Sequence, residues 1–180
     1  MIVAIDNTIL TLILYPNAKP TPNPETGEPA SDIGVRIKSL VSAHEDSGNT
    51  IVIPTPVLTE TLISLDSDPA ILLDKLSKLS VFNTYPFDKR AALMLAKLSN
   101  AEISKTQRKK GIVPYQKLKF DRQIVSIALV ADAEILYTDD RSQTIFAESV
   151  GLKVVHSWDI DIADEYRQRD FKDNDSSWDN

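Results

Sequence analysis

Four acids occupy places along this 180-residue chain where carboxylates could converge: Asp6, Glu60, Asp121 and Asp140. Asp6 follows the apolar run Ile2-Val3-Ala4-Ile5, and Asp140 follows Ile135-Leu136-Tyr137-Thr138 and Asp139. Glu60 falls within an expected helix, Thr55–Leu65, and Asp121 opens another, Phe120–Asp132. Two acids at the ends of buried strands and two on helices can share one divalent-metal site. Such a site hydrolyses phosphodiesters. Composition narrows the metal: there is no cysteine, and His44 and His156 are the two histidines. A site built from carboxylates alone suits hard ions, Mg²⁺ or Mn²⁺, one or two of them.

Each acid also has a structural reading. Asp6 fits a helix cap or turn. Asp121 fits a first-turn acid favoured by the helix dipole. Asp139 and Asp140 fit ordinary turn positions. Glu60 resists such a reading, because it sits at the margin of a face carrying Leu58, Leu62 and Leu65. Partial burial there costs free energy unless the charge is paired. No Lys or Arg lies between residues 39 and 74.

The elements that must hold these acids alternate. Strands are expected at residues 2–5, 50–54, 80–85, 134–138 and 152–155. Helices are expected from Ile9, over 33–46, 55–65, 69–79, 88–105, 120–133 and 142–150. Proline at 16, 20, 22, 24 and 29 makes 16–31 a loop. Alternation of this kind predicts an α/β fold with a parallel sheet covered on both faces. Ligands bind beyond the carboxyl ends of such strands, where Asp6 and Asp140 would sit.

Charge is uneven along the chain. The net charge is −6, of which residues 157–180 carry eight acids and three bases, a net of −5. Ile103–Phe120 has six bases and no acid. That stretch is either a solvated loop or a phosphate-binding edge leading into Asp121. No apolar run reaches membrane-spanning length, and Met1 leads directly into the first strand, so a cytoplasmic protein without a targeting segment is expected.

The order and context of the acids resemble the PIN domain, a family of metal-dependent nucleases that includes VapC-like toxins. The likeness covers residues 2–156. It rests on Ile2-Val-Ala-Ile-Asp6-Asn-Thr-Ile-Leu10, on Glu60 in Val57-Leu-Thr-Glu-Thr-Leu62, on Asp121 heading a helix into a small-residue stretch and strand, and on Thr138-Asp139-Asp140. It implies a three-layer α/β/α sandwich over 1–156, followed by an acidic tail at 157–180.

The resemblance also implies an activity: endonucleolytic cleavage of RNA to 5′-phosphate and 3′-hydroxyl ends, with Asp6, Glu60, Asp121 and Asp140 as metal ligands. Asn7, Thr8, Thr138 and Ser142 would surround those ligands, and Lys117, Lys119 and Arg122 would hold neighbouring phosphates. Many members carry a further acid at the position of Ser142, so a fifth ligand is absent or is supplied by Asp139. A small antitoxin, whose basic residue blocks the acidic site, and a homodimeric state are further implications. The competing class is a non-catalytic scaffold that binds RNA or protein. A phosphatase of the haloacid dehalogenase type needs a second Asp where Thr8 stands, and a receiver domain needs an acidic pair before the first helix.

Overall fold

A computed structural model describes residues 1–15, 17–64, 68–100 and 115–167; of Asn100 and residues 115–119 it gives the backbone alone. Five strands form one sheet: β1 (Ile2–Ile5), β2 (Thr50–Pro54), β3 (Phe82–Tyr85), β4 (Ile135–Tyr137) and β5 (Lys153–Val155). All pair in parallel, in the order β3-β2-β1-β4-β5. Central strands of a parallel sheet are covered on both faces, so their sequences run apolar without alternation. Val3, Ala4, Ile5, Ile51, Val52 and Leu136 are accordingly excluded from solvent.

The helices are α1 (Asn7–Leu14), α2 (Ile33–Asp46), α3 (Thr55–Ser64), α4 (Pro69–Ser77), α5 (Lys89–Asn100), α6 (Tyr115–Val130), α7 (Arg141–Ser149) and the single turn α8 (Asp164–Arg167). They flank the sheet as an α/β/α sandwich. α1 packs on α2 and α3, while α6 packs on α5, α7 and α3. Ile124, Val125 and Ala128 of α6, and Phe146 and Ala147 of α7, join the core cluster beneath. Left-handed backbone at Gly151 (φ +85) lets the chain leave α7 and turn into β5.

Several boundaries differ from expectation. α6 starts at least five residues earlier than Phe120, so Asp121 lies in the second helical turn rather than opening the helix. Lys117 and Lys119 are therefore helical, while the rest of the basic segment up to 114 lies outside the described residues. On α5, Ala91 is buried but Ala92 is exposed. The fold also continues past residue 156. A 3₁₀ turn at Ser157–Asp159 packs on α2, and Ile160 is buried, with its carbonyl accepting from Arg36 Nη1 at 2.5 Å. Further along, the Ala163 N–H donates to Ser39 Oγ at 3.1 Å, and Tyr166 shares a hydrogen bond with Ser42 at 3.1 Å. Residues 168–180 lie outside the described residues.

Sheet order sets where a site forms. From β1 the chain moves to β2 on one side; from β3 it crosses back to β4 on the other. The crevice opens at this reversal, beyond the carboxyl ends of β1 and β4.

Candidate functional site

Asp6 is the first residue after β1 and caps α1. Its Oδ1 accepts from Thr8 N (2.9 Å), Ile9 N (3.1 Å) and Thr8 Oγ1 (2.6 Å). Its Oδ2 lies 2.5 Å from Thr138 Oγ1. The residue is 2% exposed. Burial pushes its pKa up to about 7; the hydroxyls of Thr138 and Thr8 and the Ile9 N–H oppose that, and the nearby Asp139 charge adds to it. A capping carboxylate in water is ionised well below neutrality. Desolvation outweighs the hydrogen bonds here, and no Lys or Arg among the described residues bonds to it.

Asp140 caps α7 in the same manner. Its Oδ1 accepts from Ser142 N at 2.8 Å and Gln143 N at 3.1 Å. The Ser142 hydroxyl lies 2.7 Å from that oxygen and 3.0 Å from Asp121 Oδ2. One hydroxyl thus spans two carboxylates from different helices and fixes their separation. Thr138 plays the parallel role one turn away. Its Oγ1 accepts the Asp140 N–H at 3.0 Å and sits 3.1 Å from Gln143 Oε1 as well as beside Asp6. A threonine has one proton to donate, and the shorter contact to Asp6 claims it whenever that carboxylate is ionised.

Glu60 reaches the same place from α3. The helix is positioned by Thr61, whose buried hydroxyl lies 2.6 Å from Asn7 Oδ1 and 2.9 Å from its own-turn Val57 carbonyl. The buried stripe of α3 is Val57 and Thr61, not the Leu58, Leu62 and Leu65 face expected. Leu58 and Leu62 are half-buried, and Leu65 lies outside the described residues. Glu60 itself is exposed, so the argument that it is desolvated on an apolar margin fails. It lines the cleft as an exposed side chain.

All four acids line one cleft of about 420 Å³, together with Asn7, Thr8, Gln143, Ile63 and Phe120. As arranged, no three Asp, Glu or His side chains among the described residues are close enough to hold one ion. The acids ring the cleft rather than converge, because helix N–H groups and hydroxyls hold Asp6 and Asp140 back as caps. The donor chemistry nevertheless fits a hard divalent cation: every candidate ligand atom is a carboxylate oxygen, and Asp6 is buried with no Lys or Arg bonded to it among the described residues.

Two expectations do not survive the geometry. Asp139 points away from the cleft: its two oxygens accept from Ser157 N and Ser157 Oγ, each at 2.7 Å. It anchors the 3₁₀ turn and is not a replacement fifth ligand. Arg122 is 3% exposed, with its guanidinium carbon 5.2 Å from the centre of the Phe146 ring. It packs α6 against α7 as a cation–π pair and is not among the residues that line the cleft. Ser142 is a bridge between acids, as its expected place beside the ligands allows, and supplies no charge. The side chains of Lys117 and Lys119 lie outside the described residues.

Sequence reasoning passed over Thr61, Gln143, Ile63 and Phe120. Gln143 is 2% exposed, and its Nε2 has no hydrogen-bond partner among the described residues. Gln143 also lines the cleft. Ile63 is 80% and Phe120 48% exposed. They give the acidic cleft an apolar rim, and only an exposed apolar residue next to each acid would have signalled it.

No family model and no curated protein matches the chain in sequence. Solved structures do match in shape. One is VapBC2 from Rickettsia felis bound to a DNA fragment from their promoter, at 17% identity and TM-score 0.56, covering 87% of this chain and 98% of that one. Another is VapBC-1 from nontypeable Haemophilus influenzae, at 15% identity and TM-score 0.52, with the same coverage. Identities this low speak to architecture alone, and with the sheet order and acidic edge above they identify the chain's fold as PIN-like, shared with chains of the VapBC assemblies.

Proposed function

We propose that the chain is a divalent-metal-dependent endoribonuclease. The observation that supports it most is that Asp6, Glu60, Asp121 and Asp140, far apart in sequence, line one cleft at the carboxyl edge of β1 and β4. The reaction is hydrolysis: water adds to phosphorus, the bond from phosphorus to O3′ breaks, and the products are a 5′-phosphate and a 3′-hydroxyl. One or two Mg²⁺ or Mn²⁺ ions, when bound by those acids, supply Lewis acidity toward water and phosphate. The chain's own residues set the geometry. Thr8 and Thr138 orient Asp6, Ser142 fixes Asp121 against Asp140, and Asn7 with Thr61 holds α3 so that Glu60 can close the ring. Gln143 offers its free Nε2 proton to a substrate oxygen.

RNA is the substrate because the PIN resemblance favours it over duplex DNA. The same resemblance, with the likeness to VapBC chains, supports the role of toxin paired with a small antitoxin that carries a basic residue into the cleft. A homodimer is the expected state. Toxicity on expression that a neighbouring small reading frame relieves tests the pairing. Cleavage of a labelled single-stranded RNA in Mn²⁺ tests the chemistry: wild type cuts, and Asp6→Asn and Asp121→Asn do not while keeping their fold. Cutting by either variant removes the metal-site assignment.

A non-catalytic scaffold is favoured by one observation, the lack of three convergent acids among the described residues. It predicts that Mn²⁺ leaves the Tm of wild type unchanged. The nuclease reading predicts a rise, since an ion bound only by the folded state stabilises it.

A further inference from the structure

A second cavity, of about 200 Å³, adjoins the acidic cleft and is lined by Asn7, Thr8, Thr11, Leu12, Lys19, Pro20, Thr21 and Asp139. Asn7 and Thr8 line both, so both cavities border the start of α1. Their chemistry differs sharply. The cleft has four acids and, among its described lining, no Lys or Arg. The side cavity offers hydroxyls and an amide, with Lys19 exposed at its outer wall.

Lys19 makes no ion pair with the described residues. Its nearest acid in the cavity, Asp139, has both oxygens engaged by Ser157. Asn7 Oδ1 is taken by Thr61, which leaves the Asn7 amide N–H₂ unpartnered among the described residues at the junction. A phosphate needs such a set: one mobile ammonium, hydroxyl donors and an amide donor. The acids repel a phosphate backbone, so the strand needs positive charge on one flank of the scissile position.

We propose that this side cavity binds a backbone phosphate of the RNA adjacent to the scissile one, with Lys19 as its cation and Thr11, Thr21 and the Asn7 amide as neutral donors. The proline-rich segment then has a function. Pro20, with its φ fixed by the ring, lines the cavity beside Lys19. Lys19 is a substrate-positioning residue; the inference rests on the nuclease reading above.

The test uses the full chain carrying Asp121→Asn, so that RNA is bound and not cut. Binding of a fluorescent single-stranded oligonucleotide is followed by anisotropy in Mg²⁺ from about 50 to 300 mM KCl. Each phosphate contact contributes about 0.7 to the slope of log K against log salt for a single strand. Adding Lys19→Ala lowers that slope by about 0.7 and weakens low-salt binding several-fold; Lys19→Arg restores both. Lys153→Ala, at the opposite edge of the sheet, changes neither. Lys19 is exposed on a loop, so an unaltered Tm verifies that folding is intact. Equal slopes with and without Lys19 overturn the phosphate site while leaving the nuclease reading standing. No RNA binding by any of these proteins overturns both.

Discussion

At the scale of single residues, burial sets the protonation of Asp6. Asp6 is raised to about 7 in the folded state, against about 3.9 in an unfolded chain. The folded state therefore holds the extra proton between those values, and stability falls as pH rises from about 4 to about 7. Three units correspond to roughly 4 kcal/mol as an upper bound. Asp139 is shifted up by burial and adds to the same trend. His44 is shifted down, by burial and then by the nearby N-terminal charge. It acts oppositely, with stability gained as pH rises through the unfolded histidine value.

The difference between wild type and Asp6→Asn isolates the first group. Denaturant melts in EDTA at about pH 5 and pH 8 should show the variant gaining relative to wild type at the higher pH, and saturating Mn²⁺ should erase that gain. Equal pH profiles for the two proteins would count against the account. Ser142→Ala removes the hydroxyl between Asp121 and Asp140. Mn²⁺ affinity should fall about 10-fold or more while unfolding free energy drops by only about 1 kcal/mol; an unchanged affinity would deny Ser142 its positioning role.

At the scale of elements, two of the acids double as helix caps, and the two duties can be separated. Asp140 accepts from two N–H groups at the start of α7. Asn preserves the cap and Ala does not, so Asp140→Ala should cost about 1 kcal/mol and Asp140→Asn very little. Cleavage should be lost in both. Equal stability of the two variants would mean the cap is not what holds α7.

The strand-and-helix order was readable because buried parallel strands run apolar and end in polar residues, as Ile2–Ile5 and Ile135–Tyr137 do. Other features were hidden by residue type. Thr61 is fully buried, but a threonine in a helix reads as surface, which moved the inferred inner face of α3 to its leucines. Arg122 is buried against Phe146, and no rule of composition distinguishes a stacked guanidinium from a phosphate-binding one. The start of α6 was lost in charge: Lys117 and Lys119 form helix well yet look like a solvated loop in a basic run.

At the scale of the molecule, one topological reversal brings acids separated by over a hundred residues to the same edge. The segment after β5 locks that edge from behind. Asp139 holds Ser157, and Ala163 and Tyr166 hydrogen-bond to α2. A cut after 156 should therefore lower Tm strongly, by losing several hydrogen bonds and the buried Ile160, whereas a cut after 167 should leave it near wild type. Similar Tm values for the two truncations would return the boundary to 156. Acidic composition hides how far the docked segment runs past the 3₁₀ turn; among its described residues Ile160 is the buried aliphatic.

The central claim is that the four acids form one metal centre. Calorimetric titration of Mn²⁺ into wild type and Asp121→Asn at neutral pH tests it most directly. The account predicts saturable binding with proton release in wild type and at least about a 10-fold loss of affinity in the variant. Identical isotherms for the two proteins, or no binding to wild type, would contradict it.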